Sequence, residues 1–236
     1  MNFSKEISAY HSFCKVYFNN FYSVNNQILS HKNTLRIFQI IDLFQIIHDY
    51  KTDNKLLPIF AEMCLDTLYN LLIAIQTNND LFIASCTRQF DEELLKIVYS
   101  EFCNDKNTIS IQKINYRSLW EDGICSSKAY KQLSQTKKDD KRKGIVREKD
   151  KIDAINNFFG KDSNKLHFKY QPDATSKYLE KIVRDGVEFD KTNLNSHLIA
   201  YYNFCIDLLP LIIKLEIDNM SISQKHEYIN LINNLV

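Results

Sequence analysis

Four glycines and three prolines in 236 residues leave this chain few places to turn sharply. A many-stranded sandwich or barrel needs turn residues roughly every 8–12 positions, so that class is disfavoured. A doubly wound nucleotide-binding sheet is disfavoured too, because no glycine-rich phosphate loop is present. Hydrophobic residues make up 44% and charged residues 25%, which suits a globular core and excludes disordered, collagen-like and coiled-coil chains. The chain therefore reads as all-α: a single irregular multi-helix bundle over residues 1–236, with a charged surface linker at 136–151.

Apolar residues recur at spacings of three and four through residues 4–22 (Ile7, Tyr10, Cys14, Tyr17, Phe21) and 34–50 (Ile37, Ile40, Ile41, Phe44, Ile47), the period of a helix with one buried face. Pro58 sits where a helix would begin, and the tract to Gln76 is apolar on nearly all sides. Asn78-Asn79-Asp80 breaks it and offers a cap for a helix over Leu81–Phe102. Thr108–Ile114 alternates briefly, as an extended segment would, and a further helical tract covers roughly 115–135. Helical spacing resumes at Ile152–Phe159, again from Pro172 to Val183, and over Thr192–Leu215 with a kink near Pro210. Ser221-Ile-Ser-Gln224 matches a capping box before a final helix.

Thirty basic and 29 acidic residues give a formal charge of +1, so no global field draws the chain to nucleic acid or an anionic membrane. The apolar stretches Leu56–Gln76 and Ile206–Ile217 are interrupted by Glu62, Asp66, Asp207 and Lys214. With no secretory leader at the start, this points to a cytoplasmic protein without a membrane span. Six cysteines without a CxxC pair read as buried thiols, not as a disulfide framework or zinc site. The segment Thr136–Lys151 carries eight basic and four acidic residues and reads as a solvated, mobile connection. Lys137, Lys138, Lys141, Arg142, Lys143 and Arg147 are its candidate nucleic-acid contacts.

The Leu81–Phe102 helix is the most informative piece. Ile83, Cys86, Phe90, Leu94 and Ile97 share one face, and Leu81, Ser85, Arg88, Glu92, Leu95 and Tyr99 lie almost opposite. A helix apolar on two sides is central, so Arg88 needs a partner, and Glu92 at i+4 supplies one. The pair is either a half-buried tie that fixes helix register or a site facing a pocket or phosphate. Asp91, Glu92 and Glu93 are neighbours on a helix and point to different sides, a poor two-carboxylate cage. His167 falls in a loop or short turn, where a histidine either packs or contacts RNA. His11, His31, His48, His197 and His226 are scattered with no HxxxH or HxxE spacing. Neither a metal site nor a cofactor is expected. Trp120, beside Tyr116 and Arg117, is either a packed aromatic or a base-stacking one.

The order Ser85-x-x-Arg88-Gln-Phe-x-Glu92-x-Leu94-Leu-Lys96, then Tyr116-Arg117 and Trp120, then Leu166-His167 and a closing helix, resembles small HEPN-like helical proteins of bacterial phage-defence (abortive-infection type) loci. The resemblance covers roughly residues 60–215 and implies a helical bundle. Active members of that superfamily cleave RNA with an arginine and a histidine four to six residues apart. Here none of Arg36, Arg88, Arg117, Arg142, Arg147 or Arg184 has a histidine at that spacing, and Lys191 stands where such an arginine would precede His197. Only a composite site of Arg88 with His167 or His197, or one shared in a dimer, would restore it.

The expected function is a non-catalytic interaction subunit of a bacterial anti-phage or mobile-element defence complex, binding a protein from the same locus or a second copy of itself. Two other readings stand beside it. One is a metal-independent ribonuclease effector using Arg88 and His167, with Glu92 and His197 as further candidates. The other is a subunit holding RNA or DNA through segment 137–151.

Overall fold

The computed structural model describes residues 3–17, 30–52, 54–77, 80–103, 111, 113–168 and 191–233. Seven helices of at least three turns carry the described architecture: α1 (Phe3–Tyr17), α2 (His31–His48), α3 (Leu56–Gln76), α4 (Asp80–Phe102), α5 (Glu148–Phe168), α6 (Lys191–Asp207) and α7 (Ile222–Asn233). Shorter turns join them, and no strand occurs among the described residues. The all-α reading is correct. Thr108–Ser110 and the helix expected from Pro172 to Val183 lie outside the described residues.

Local chemistry fixes the ends of these helices. The Ser30 hydroxyl accepts the Asn33 N–H at the start of α2, and Asn54 Oδ1 accepts the Leu56 N–H ahead of α3. Pro58 sits in the first turn of α3, where its missing N–H costs nothing. The capping box before α7 is made from both sides: Ser221 Oγ accepts from Gln224 N, and Gln224 Oε1 accepts from Ser221 N. The expected kink is a break at Leu208, after which Pro210 opens the short helix Leu209–Ile212.

Packing closes a ring. α2 lies against α3, α3 against α4, α4 against α5, α5 against α6, and α6 returns to α2; α1 and α7 both lean on α2. At the centre Phe90 of α4 meets Phe44 of α2 edge-on at 5.9 Å and Tyr201 of α6 at 4.9 Å. All three are fully buried; each of the phenylalanines is worth about 1.5–3 kcal/mol of burial. α3 is long and apolar enough to cross a membrane by length and composition. Its place between α2 and α4, with Glu62 and Asp66 exposed, is that of a core helix. The six cysteines are free thiols, four of them buried.

Residues 113–135 form a compact excursion against α4 and α5 instead of one long helix. Asn115 and Ser127 cap single helical turns, and a π-helical turn, Trp120–Ile124, lies between them. Gly123 is required there, because a Cβ would intrude on the Tyr99 ring. Trp120 packs edge-on to Tyr130 at 5.8 Å, the packing alternative of its two readings.

The charged segment carries local structure of its own. It stays at the surface, but Lys138–Arg142 is a helical turn, and Gly144 reverses the chain at φ +70°. The Asp140 carboxylate accepts from Arg147 Nε (3.1 Å), Arg147 Nη2 (2.7 Å) and the Lys137 N–H (3.1 Å). The Arg147 contacts hold its pKa below the ordinary carboxylate range. The loop is also tied by Thr136 N–H to Asp150 (2.7 Å) and Arg147 N–H to Thr136 (3.0 Å). The sequence reading weighed only the segment's charge and missed that opposite charges seven residues apart can close a loop. Of the six candidate nucleic-acid contacts, Arg147 is committed to this closure. Asp140→Ala should therefore raise trypsin cleavage at Lys141–Lys143 several-fold while barely moving the global melting temperature. An unchanged cleavage rate would show that the Asp140–Arg147 closure does not order the loop.

Candidate functional site

α4 carries three polar stripes, each one residue further along and turned by about 100° from the last. Thr87 and Asp91 point to α5 and α6, Arg88, Glu92 and Lys96 to the rim, and Gln89 and Glu93 towards α3. Because α4 is central, Thr87, Asp91 and Glu93 are buried, while Gln89 reaches the surface.

On the rim stripe, Arg88 Nε donates to Ser163 Oγ of α5 at 2.9 Å, and its guanidinium lies 5.0 Å over the Phe159 ring. Glu92 is a long partner for it at 3.8 Å and a short one for Lys96 at 2.7 Å. The Arg88 side chain is 35% exposed, so the expected pair is half-buried and divided: Glu92 belongs mainly to Lys96, and Arg88 is held by α5. Removing Arg88 would cost a hydrogen bond and a ring contact rather than strand a buried carboxylate. A cleft of about 300 Å³ opens here, lined by Met63, Ser85, Arg88, Gln89, Glu92 and Lys96 among others. A larger open hollow of about 570 Å³ lies elsewhere, between Tyr50, Asn54, Glu101 and Lys214–Glu216, and contains no sequence-predicted site residue.

The inner stripe forms a buried cluster across three helices. Thr87 Oγ1 donates to Asp162 Oδ2 of α5 at 2.5 Å, and the same oxygen lies 3.1 Å from His197 Nε2 of α6. His197 Nδ1 lies 2.8 Å from the Asn193 carbonyl, which can only accept, so Nδ1 carries a hydrogen and Nε2 is the atom facing Asp162. Asp91 completes the group: one of its carboxylate oxygens, one of Asp162's and a ring nitrogen of His197 all fall within 4.8 Å of one another. Neither Asp91 oxygen meets a donor at hydrogen-bond geometry. Burial pushes the Asp91 carboxyl well above its usual range, opposed in part by the nearby Tyr201 hydroxyl. That hydroxyl donates to the Thr87 carbonyl at 3.2 Å.

His197 is thus brought to Asp162 and Asp91, while Arg88 is engaged by Ser163, Glu92 and Phe159. His167 was expected in a loop; it stands in the last turn of α5, one turn beyond Ser163. Packing of α5 along α4 carries the helix through Gly160-Lys-Asp-Ser-Asn164 despite its weak propensity. Asp91 and Glu93 do point apart, as their spacing requires. The sequence reading missed that Asp91 would meet a carboxylate and an imidazole from two distant segments.

On the third stripe, Glu93 Oε1 accepts from Thr67 and from Gln89, each at 3.0 Å. Burial nonetheless raises its pKa to about 7. Asp42 of α2 is likewise raised to about 7, by burial and then by neighbouring Glu6.

No family model matches the chain, and no curated protein or solved structure is similar to it.

Glu93 ordinarily titrates near 4.5 and in the fold at about 7. Between those values the folded state keeps a proton the unfolded state has lost. Stability therefore falls as pH rises through this window and levels off above it. Asp42 acts in the same direction. The melting temperature should be higher at pH 5 than at pH 8, and Glu93→Gln should shrink that difference. A variant with the wild-type pH profile would remove Glu93 as its source.

Proposed function

We propose that this chain is a non-catalytic helical interaction subunit and that its setting is a bacterial anti-phage or mobile-element defence complex in the cytoplasm, as the likeness to HEPN-like proteins implies. One observation supports the interaction reading. α7 buries Tyr228 and Leu231 yet leaves Ile222 88% exposed, with Ile229 and Ile232 at 46% and 40%. Ile222 and Ile229 are seven residues apart and share a side. Such a stripe leaves much of its apolar surface in water, and covering an isoleucine completely is worth about 1.5–3 kcal/mol. A protein surface that covers the stripe recovers part of this, which fits a partner encoded in the same locus or a second copy of the chain. Paired Ile222→Asp and Ile229→Asp substitutions should abolish co-purification of the tagged chain with the products of its neighbouring genes and keep the melting temperature within about 2 °C, as surface changes do. Full partner recovery by that variant would refute docking through α7.

A second reading, metal-independent RNA cleavage, is favoured by Arg88 opening on the cleft beside Ser163, one turn from His167 on α5. Acid–base cleavage needs a histidine placed at the reacting hydroxyl, and the arginine here is held by Ser163, Glu92 and Phe159. The purified chain should leave tRNA and mRNA intact. Turnover that disappears in His167→Ala would replace the interaction reading with the ribonuclease one.

A further inference from the structure

We propose that Asp91, Asp162 and His197 form a three-ligand site for a first-row divalent transition-metal ion of the zinc class, tying α4, α5 and α6 together.

Three independent features converge on this site. The first is proximity: one nitrogen and two carboxylate oxygens from three helices lie within 4.8 Å of each other. Small side-chain rotations would place them around an ion at about 2.0–2.2 Å. The second is Asp91 itself. It is fully buried, and neither oxygen has a hydrogen-bond partner. Tyr201, the polar group beside it, lies 3.2 Å from the Thr87 carbonyl and offsets the cost of burying the carboxyl only in part. A carboxylate desolvated in this way is costly unless a cation or a proton meets it. The third is the orientation of the imidazole. Nδ1–H is fixed on the Asn193 carbonyl, so Nε2 is presented inward. This is how metal-binding histidines are held, with the other ring nitrogen donating to a carbonyl or carboxylate. Thr87 supports Asp162 in the same outer role.

Charge and ligand type narrow the occupant. Two carboxylates and a neutral imidazole carry −2, which a divalent ion neutralises. A mixed set of one nitrogen and two oxygens suits zinc or its first-row neighbours better than calcium or magnesium, which take oxygen alone. A small cavity beside Asp162 and His197, about 10 Å³ and walled by Ile83, Ala84 and Leu194, has room for about one water molecule as a fourth ligand. The three side chains are buried, so the ion's role is structural: it bridges helices separated by up to 106 positions of sequence, from Asp91 to His197.

The test uses the full chain, unfolded in denaturant with chelator and refolded with or without Zn²⁺, so that the buried site is open when the ion arrives. Elemental analysis should find about one zinc per chain. Zinc K-edge absorption should show nitrogen and oxygen neighbours with no sulfur, and the zinc-loaded protein should melt several degrees above the zinc-free one. Asp91→Asn and His197→Gln should each weaken zinc binding by at least about tenfold, the scale set by losses around metal sites. Should His197→Gln fail to fold, Asp91→Asn decides, because it keeps the side chain's shape and removes only the charge. The proposal is overturned if the wild type takes up no zinc. A zinc–sulfur distance near 2.3 Å, or Asp91→Asn binding zinc as tightly as the wild type, would overturn it as well.

Discussion

Phe90 of α4 meets Phe44 of α2 on one side and Tyr201 of α6 on another, and this aromatic junction turns the inner faces of α4 towards the middle of the ring. Once α4 is enclosed, each of its polar residues must find a partner in protein or reach the rim, because an unpaired polar group in the interior costs several kilocalories per mole. Thr87, Asp91 and Glu93 are all enclosed. Thr87 and Glu93 find partners on α5 and α3, and Asp91 is left facing Asp162 and His197. The same burial that supplies most of the driving force thus dictates where the polar residues of three other helices stand.

The rotation between adjacent stripes separates two kinds of chemistry that are neighbours in sequence. Arg88 and Ser163 form the outer contact between α4 and α5, and Thr87 and Asp162, one residue earlier on each helix, form the inner one. The outer pair sits beside an open cleft, where a guanidinium keeps access to water. The inner pair shares an enclosed cluster with His197, where any charge must be compensated locally. The arginine favoured by the family resemblance and the histidine buried in α6 therefore belong to different environments.

Much of the fold was legible from spacing alone. α2, α4, the break before Pro210 and the capping box at Ser221 follow from the positions of apolar residues and caps, which act within one or two helical turns. The cluster was not legible, because Asp91, Asp162 and His197 have no fixed spacing; they are brought together by the way α4, α5 and α6 pack. His167 was misplaced for a related reason: Gly160, Ser163 and Asn164 disfavour a helix locally, and only packing against α4 carries α5 past them. The charged loop escaped because its closing pair, Asp140 and Arg147, spans a turn created by Gly144 at positive φ.

α2 is the element on which the outer parts of the molecule depend. It packs against α3 and α6 within the ring and supports both α1 and α7 outside it. Its register against α6 is pinned at one end by the hydrogen bond from Asn33 to Asn195 at 2.5 Å and at the centre by Phe44, which reaches Tyr201 through Phe90. Asn195 and His197 lie two residues apart on α6, so the contact that fixes α2 and the cluster that fixes α5 act on the same turn. α7 buries Tyr228 and Leu231 and rests on α2, so the placement of its exposed isoleucines depends on that of α2. The short α7 is thereby tied through α2 to the ring, since α2 packs on α3 and α6 at the same time as it carries α7.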